Sequence, residues 1–348
     1  MRLIGAGALA LTLSVAASAC SSGGASASAA STGSKASSTP LYLLSSEGYD
    51  AAECAAFQKA TGIVCKLSDN STGPTLARIQ ATRANPQWGV VWTDGSAPYA
   101  ALDREGMLLR HFEPTTGKLT PAGQRLVPAD GSYIPTGLTV SGAFMYNAAT
   151  VKNPPRTWAD LLSPQWRGKI EMNNPAVDGP TYPMLAGLFA SLGGVAKGEA
   201  FLTRLKANGL KVSSNNAFTD LLAGKISIAL GQNSDGVGAL DQGKKLGIIY
   251  PTPSPALPST MAIDGRAAPA EIAVAKKFAD FVYSPAGQAV MHRGDPFGDS
   301  NFIPIIVGTP ARPHVPPLNS IQFIFPNPYV WGPREPAINS WFNANIGG

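Results

Sequence analysis

Amides, hydroxyls and single carboxylates gather where the apolar runs of this chain break. ISIALGQNSDG at 226–236 climbs from Ile226 to Leu230 and then turns into Asn233, Ser234 and Asp235. SSEGY at 45–49 brings Ser45, Ser46, Glu47 and Tyr49, and TDG at 93–95 brings Thr93 and Asp94. Asn174, Asp178, Thr181 and Tyr182 follow in KIEMNNPAVDGPTYP, Ser71 and Thr72 open STGPTLARI, and Thr139 stands in the alternating GLTVSGAFMYN. Such groups hydrogen-bond a polar solute and, through their carboxylates, balance an ammonium. Two facing carboxylates would instead suit hydrolysis. Other catalytic chemistry lacks its signature, because there is no P-loop, no G-x-S-x-G, no H-E-x-x-H and no C-x-x-C. His111, His292 and His314 lie far apart in segments that read as surface, and each is expected to face solvent.

Each polar break follows a predicted strand and precedes a predicted helix. PLYLLSS (40–46), a helix over Tyr49–Ala60 and the strand IVCKL make a β-α-β start, which predicts a parallel sheet. In STGPTLARIQATRANP, Ser71 is placed as an N-cap, Pro74 falls in the first turn, and Leu76 and Ile79 share a face before Pro86 closes the pattern. WGVVWTDG repeats the order of strand and polar tip. In open α/β sheets, ligands bind at the carboxyl ends of the strands, so these tips are the expected site loops. GLTVSGAFMYN (137–147) and the Pro-rich IIYPTPSPALPSTMAI read as crossings between domains, and AEIAVAKKFADFVYSPAGQAVM as a pair of amphipathic helices. No solenoid-type repeat is present.

With 348 residues, 44% of them hydrophobic, the chain is long enough for two cored domains. Only 14% of residues are charged and the net charge of +5 is spread thinly, which gives nucleic-acid binding no concentrated basic face. MRLIGAGALALTLSVAASAC has the basic start, apolar core and small-residue end of an export signal over 1–19. Cleavage after Ala17-Ser18-Ala19 and lipidation of Cys20 both fit this end, although Ala17 stands where a lipobox usually has Leu. The Ser/Gly/Ala stretch over 20–39 reads as a flexible tether. A lipidated Cys20 leaves Cys54 and Cys65 to pair in an oxidising compartment. Six helical residues lower Cys54 about 9 Å below the turn at Thr61-Gly62. Three strand residues return Cys65 about 10 Å, level with it. Two buried free thiols are the alternative.

The order of several phrases resembles the family 1 solute-binding proteins of bacterial ABC importers, in the iron(III), phosphonate, thiamine and polyamine subgroup. The phrases are FQKATGIVCKL, LARIQATRANPQWGVVWTDG, LDREGMLL, PTGLTVSGAFMYNAATV, PPRTWADLLSPQWRGKIEMNNP, LAGKISIALG and FADFVYSPAGQAVM, spread over about residues 41–290. The resemblance implies an α/β, two-lobed periplasmic-binding-protein fold of type II, the Venus-flytrap form, with a ligand cleft at the hinge. One lobe is expected from 40–138 with 258–305, the other from 139–257, and 306–348 is expected as a C-terminal wrapping segment. It also implies no enzymatic activity, no cofactor, a small-molecule solute and delivery to an ABC permease in the inner membrane. With the export signal and Cys20, a monomer in the periplasm or at the cell surface is expected, held to the membrane by a lipid on Cys20. A periplasmic hydrolase and a structural or adhesive surface lipoprotein are the readings from other classes.

Iron-binding members similar to this chain supply a His after the first strand, a Glu after the third, and adjacent tyrosines after the strand matched by ISIALG. This chain has Glu47-Gly48, Asp94 and Ser234-Asp235 at those places. The missing phenolates turn the expectation away from a hard trivalent metal. Helix starts at Ser71-Thr72-Gly73 and at Gly179–Tyr182 are expected to aim N–H groups at an anion. Ser71 and Asp178 acting only as helix caps is the plainer alternative. With Glu47, Asp94 and Asp235 left for an ammonium, the expected solute is a phosphonate or phosphate ester such as 2-aminoethylphosphonate. A polyamine would want the same carboxylates and aromatic walls, for which Tyr49, Trp92, Tyr182 and Trp331 are the candidates. Arg334 is the late basic residue considered as an anion partner.

Overall fold

In the computed structural model, which describes residues 39–213 and 216–347, the first apolar run forms β1 (Leu41–Ser45). α1 (Asp50–Thr61) ends at Gly62, whose φ of 73° is the left-handed conformation a residue without a Cβ adopts most easily. β2 (Cys65–Asp69) then returns parallel to β1, pairing Leu41 with Cys65 and Ser45 with Asp69. The strand starts two places later than IVCKL suggests, because Ile63 completes the turn and is buried. Cys54 and Cys65 form a disulfide with Cα atoms 5.6 Å apart, so the alternative of two free thiols does not hold. The export signal expected over 1–19, Cys20 and the tether up to residue 38 lie outside the described residues.

α2 (Thr72–Ala81) leads to β3 (Val90–Asp94), which is parallel to β1 and buried along its whole length. α3 (Ala97–Arg104), the short α4 (Pro121–Gln124) and β4 (Ile134–Val140) complete this stretch. The chain leaves the first sheet at Ser141-Gly142 and enters the second as β5 (Ala143–Asn147). β6 (Ile170–Met172), α5 (Thr181–Leu192), α6 (Val195–Ala207), β7 (Lys211–Val212) and α7 (Ala217–Leu222) follow. β8 (Ile228–Gly231), α8 (Asn233–Asp241) and β9 (Leu246–Ile249) finish the second half. The order there is β7-β6-β8-β5-β9 in a 5-stranded sheet.

Return to the first sheet is made through Tyr250–Pro253 into β10 (Ser254–Ile263), which runs antiparallel to β3 and β4. The expected lobe boundaries after 138 and after 257 therefore fall inside β4 and β10, which both belong to the 6-stranded first sheet. α9 (Pro269–Tyr283) and α10 (Pro285–Gly294) form the predicted amphipathic pair. α9 buries Val274, Phe278 and Val282 against Phe57 and Trp92 of the first half. The second half has its own core around Phe144, Trp158, Phe189 and Leu202.

The C-terminal stretch belongs to both halves. β11 (Phe323–Ile324) pairs with β10, α11 (Pro328–Trp331) follows, and α12 (Glu335–Asn345) buries Ile338 and Phe342 in the second core. One histidine departs from expectation. His292 is buried on α10, its ring stacked 4.5 Å from that of Phe302, because the amphipathic face of the helix includes it.

Candidate functional site

The carboxyl ends of β1, β3 and β8 open into one cleft of about 360 Å³ between the two sheets. The first-sheet side supplies Ser46, Ser71, Thr72 and Asp94, and the second supplies Asn173, Asp178, Gln232 and Asp235. Asp299, from the loop after α10, completes it. At the rim the halves touch, since a Cβ added to Gly179 would lie 2.5 Å from Thr72 Oγ1. Thr72 also shares a 3.0 Å hydrogen bond with Ser46 across Oγ atoms.

The carboxylates here differ in what occupies them. Asp178 accepts from Asn173 Nδ2 at 3.0 Å and from the Thr181 hydroxyl, so both of its oxygens are paired. Asp299 accepts from the Gly48 N–H at 2.8 Å and from Gln232 Nε2 at 3.3 Å. Asp94 and Asp235 accept no hydrogen bond from any described residue. Asp94 is only 9% exposed, which makes its lack of a donor costly. Among the described residues that line the cleft there is no Lys or Arg.

Burial and mutual repulsion set the electrostatics. Asp94 is pushed well above the usual carboxylate range by burial and then by the charges of Glu47, Asp299, Asp178 and Asp235. Burial lifts Asp235 to about 8, with Asp299, Asp178 and Asp295 acting in the same direction. Asp299 rises to about 6 through burial, held down by the Gly48 N–H and Gln232. Asp235 and Asp299 stay partly open to cleft water, which screens some of this repulsion. A solute bringing positive charge and N–H donors would relieve all three. Among the described residues, no group of three or more His, Cys, Asp or Glu is arranged to hold a metal ion.

At the helix ends, the two expected N-termini behave differently. Ahead of α5, whose N-cap position is Pro180, the Asp178 carboxylate is already occupied by Asn173 and the Thr181 hydroxyl. Ser71 occupies the N-cap position of α2 without capping it, and the N–H groups of Thr72 and Gly73 donate to no described residue. That end, with three hydroxyls around it, is the part of the cleft suited to an anion.

Several sequence-predicted site residues lie elsewhere. Ser45 is fully buried and accepts the Glu47 N–H. Glu47 and Tyr49 point under the sheet, where Tyr49 Oη and Ser259 Oγ donate to the Glu47 carboxylate at 2.9 and 2.8 Å. Trp92 Nε1 extends this network to Ser259 at 2.9 Å, and burial lifts Glu47 to about 8. Thr93 faces the opposite side of β3 from Asp94 and meets Tyr99 at 3.1 Å. Thr139 accepts from Gln232 at 3.3 Å and is buried beside the crossing. Asn174 bonds Asn343, and its Oδ1 accepts the Ala176 N–H. Thr181 is occupied with Asp178, and Tyr182 donates from the second core to the Trp331 carbonyl, at 2.5 Å. Asn233 accepts the Val140 N–H at 2.7 Å, joining the halves, while Ser234 is buried beneath it. Ser46, Ser71, Thr72, Asp94 and Asp235 are the predicted residues that do line the cleft.

Asn173, Asn216, Gln232 and Asp299 line it without having been singled out from sequence, and Gly179 of the second expected helix start lines it too. Gln232 lies one residue before the predicted Asn233, so a shift in helix phase explains it. Asp299 follows no strand and carried no such signal. A larger cavity, about 620 Å³, sits beneath Phe325–Trp331 on α3 and β10. It touches Gly95 and Ser96 after β3 but is mainly apolar, whereas the smaller cleft gathers the polar ends of β1, β3 and β8 and is the candidate site. Arg334 is exposed and stacks 5.0 Å from the Trp331 ring, outside the cleft.

Residues 52–311 match a model described as bacterial extracellular solute-binding protein. A relative from Salmonella typhimurium, named as a candidate 2-aminoethylphosphonate-binding periplasmic protein, is 28% identical over 213 residues, 60% of each chain. One from Salmonella paratyphi A with the same name is 27% identical over the same span. The match thus spans 60% of the length of these relatives. Among solved structures, the fructose-6-phosphate-bound periplasmic protein AfuA of Actinobacillus pleuropneumoniae superposes at a TM-score of 0.73, 20% identical, over 89% of this chain and 99% of its own. Iron-bound HitA of Pseudomonas aeruginosa does so at 0.71, 21% identical, over 87% and 99%. At such identity the likeness establishes the fold, a two-lobed α/β binding protein.

Proposed function

The chain belongs to the bacterial extracellular solute-binding proteins, a family of binding proteins and not of enzymes, and on that premise we propose that it captures a small amine-bearing solute for an ABC permease. The observation that carries this reading is the pair Asp94 and Asp235, which lack donors in a cleft lined by no Lys or Arg. An ammonium supplies both the donors and the charge. The bare start of α2, with Ser46, Ser71 and Thr72, suits an anionic group at the other end of the solute. A zwitterion such as 2-aminoethylphosphonate, the ligand in the Salmonella relatives' name, meets both demands.

Polyamine binding is the second reading, favoured by the same carboxylates. It lacks the aromatic walls expected of it, since Tyr49, Trp92, Tyr182 and Trp331 all stand outside this cleft, and Phe218 is the aromatic side chain that reaches it. Ser234-Asp235 in place of paired tyrosines speaks against iron(III). Export through a signal over 1–19, with the mature chain lipidated on Cys20 and acting as a monomer, completes the proposal.

Thermal shift with 2-aminoethylphosphonate, phosphate esters, spermidine, thiamine and ferric citrate tests it, because a ligand of the folded state raises Tm by mass action. The aminophosphonate is expected to raise Tm, and Asp94→Asn to weaken it about tenfold or more, the worth of one charged hydrogen bond. If none of these solutes moves Tm, the assignment fails. Mass spectrometry of the mature N-terminus decides the anchor, and an unmodified Cys20 would remove it.

A further inference from the structure

Beside the polar cleft lies a second chamber of about 260 Å³, which shares Thr72, Asp94, Asp178 and Gly179 with it. Its far wall is α12, which presents Glu335 and Asn339. This helix follows residue 311, where the match to the family model ends. The chamber's α12 wall is rich in hydrogen-bond acceptors without donors, while Thr72 and Gly73 at the start of α2 line the chamber elsewhere. The Glu335 carboxylate accepts from no described residue, and the buried Asn339 Oδ1 has no partner. Asn339 Nδ2 points at the Pro175 carbonyl, at 3.5 Å, so turning the amide over would only set two oxygens against each other. Asp94, more than nine-tenths buried and also without a donor, borders both chambers. No Lys or Arg is among the residues that line this second space, and Arg334, next in sequence to Glu335, turns away to stack on Trp331.

We propose that the solute site continues into this chamber, and that Glu335 and Asn339 receive a second cationic N–H group at the end of a linear arm on the solute. The idea rests on the reading of the cleft as the solute site and adds a specificity element from the C-terminal helix. Its chemistry follows from the acceptors on α12, since an arm reaching Glu335 and Asn339 Oδ1 with a carboxylate or phosphate would meet like charge and lone pairs there, while an alkyl arm would leave both unpaired. Burial lifts Glu335 to about 7, which the arrival of an ammonium would reverse.

Isothermal titration of the full chain with 1-aminobutane, 1,4-diaminobutane, 1,6-diaminohexane and 2-aminoethylphosphonate tests the extension. A diamine is expected to bind about tenfold or more tightly than the monoamine, the worth of one charged hydrogen bond. Glu335→Gln should erase that advantage while leaving 2-aminoethylphosphonate within about twofold of the unaltered chain. Equal binding of monoamine and diamines, or an equal loss for every ligand in Glu335→Gln, overturns the extension alone. Loss of every ligand in Asp94→Asn, with the diamine advantage gone in Glu335→Gln, supports both levels. Failure of all four probes to bind overturns the cleft reading and the extension together.

Discussion

Asp235 is the residue on which the pH behaviour of the empty cleft turns. Its folded pKa of about 8 stands above the value of about 3.9 for an unperturbed aspartate, so the folded state holds its proton more tightly. The sign follows from linkage. The stabilisation is complete below the unfolded pKa and is lost as pH rises through the folded one. Glu47, also lifted to about 8, acts in the same direction. Without solute, Tm is therefore expected to fall between about pH 5 and about pH 9. Asp235→Asn should remove part of that slope. An ammonium prefers the ionised carboxylate, so the gain in Tm from an amine solute should grow over the same range. Scanning calorimetry of both chains across this window, with and without 2-aminoethylphosphonate, is the check. A slope that Asp235→Asn leaves unchanged would assign the titration to other groups.

At the scale of elements, the disulfide joins the end of one predicted unit to the start of the next. Cys54 and Cys65 are separated by 11 positions, spanning the turn from α1 to β2. Closing so short a loop stabilises by about 2–3 kcal/mol in the chain-entropy model. Cys54→Ser with Cys65→Ser is expected to lower the unfolding free energy by that amount in urea, with the same denaturant slope. A double variant of unchanged midpoint would show that the bond contributes nothing. This junction was legible because helix rise, turn and strand rise are fixed lengths, and the strands were legible because their apolar runs are bounded by Gly, Pro and polar breaks. The facing of individual side chains was not. Alternation along β3 sends Asp94 to the cleft and Thr93 to Tyr99, so one residue of register separates a site residue from a packing one. Glu47 and Tyr49 satisfy each other beneath β1, a partnership between neighbours that reads in sequence like any exposed polar loop. Asp299 reaches the cleft only because the loop after α10 folds back to the Gly48 N–H, a contact across 251 positions that no local pattern announces.

At the scale of the whole molecule, solute is expected to enter the cleft as the two halves part. They are joined by the β4–β5 and β9–β10 crossings, by Asn233 to Val140, and by Gln232 to Asp299. At the rim Thr72 and Gly179 approach closely, and a Cβ on Gly179 would sit 3.2 Å from Thr72 Cβ. That spacing is near the Cβ separation of about 3.5–4.5 Å that a disulfide spans. Gly179 also lacks the positive φ that would strain a side chain there. Thr72→Cys with Gly179→Cys should therefore crosslink on oxidation and hold the rim shut. If entry requires hinge opening, the oxidised double variant will take up no added solute, whereas solute added before oxidation will be retained through dialysis. Each single variant, treated in the same way, should exchange solute freely. Equal uptake by the crosslinked and single variants would mean that solute reaches Asp94 and Asp235 through the chamber under α12, without any parting of the halves.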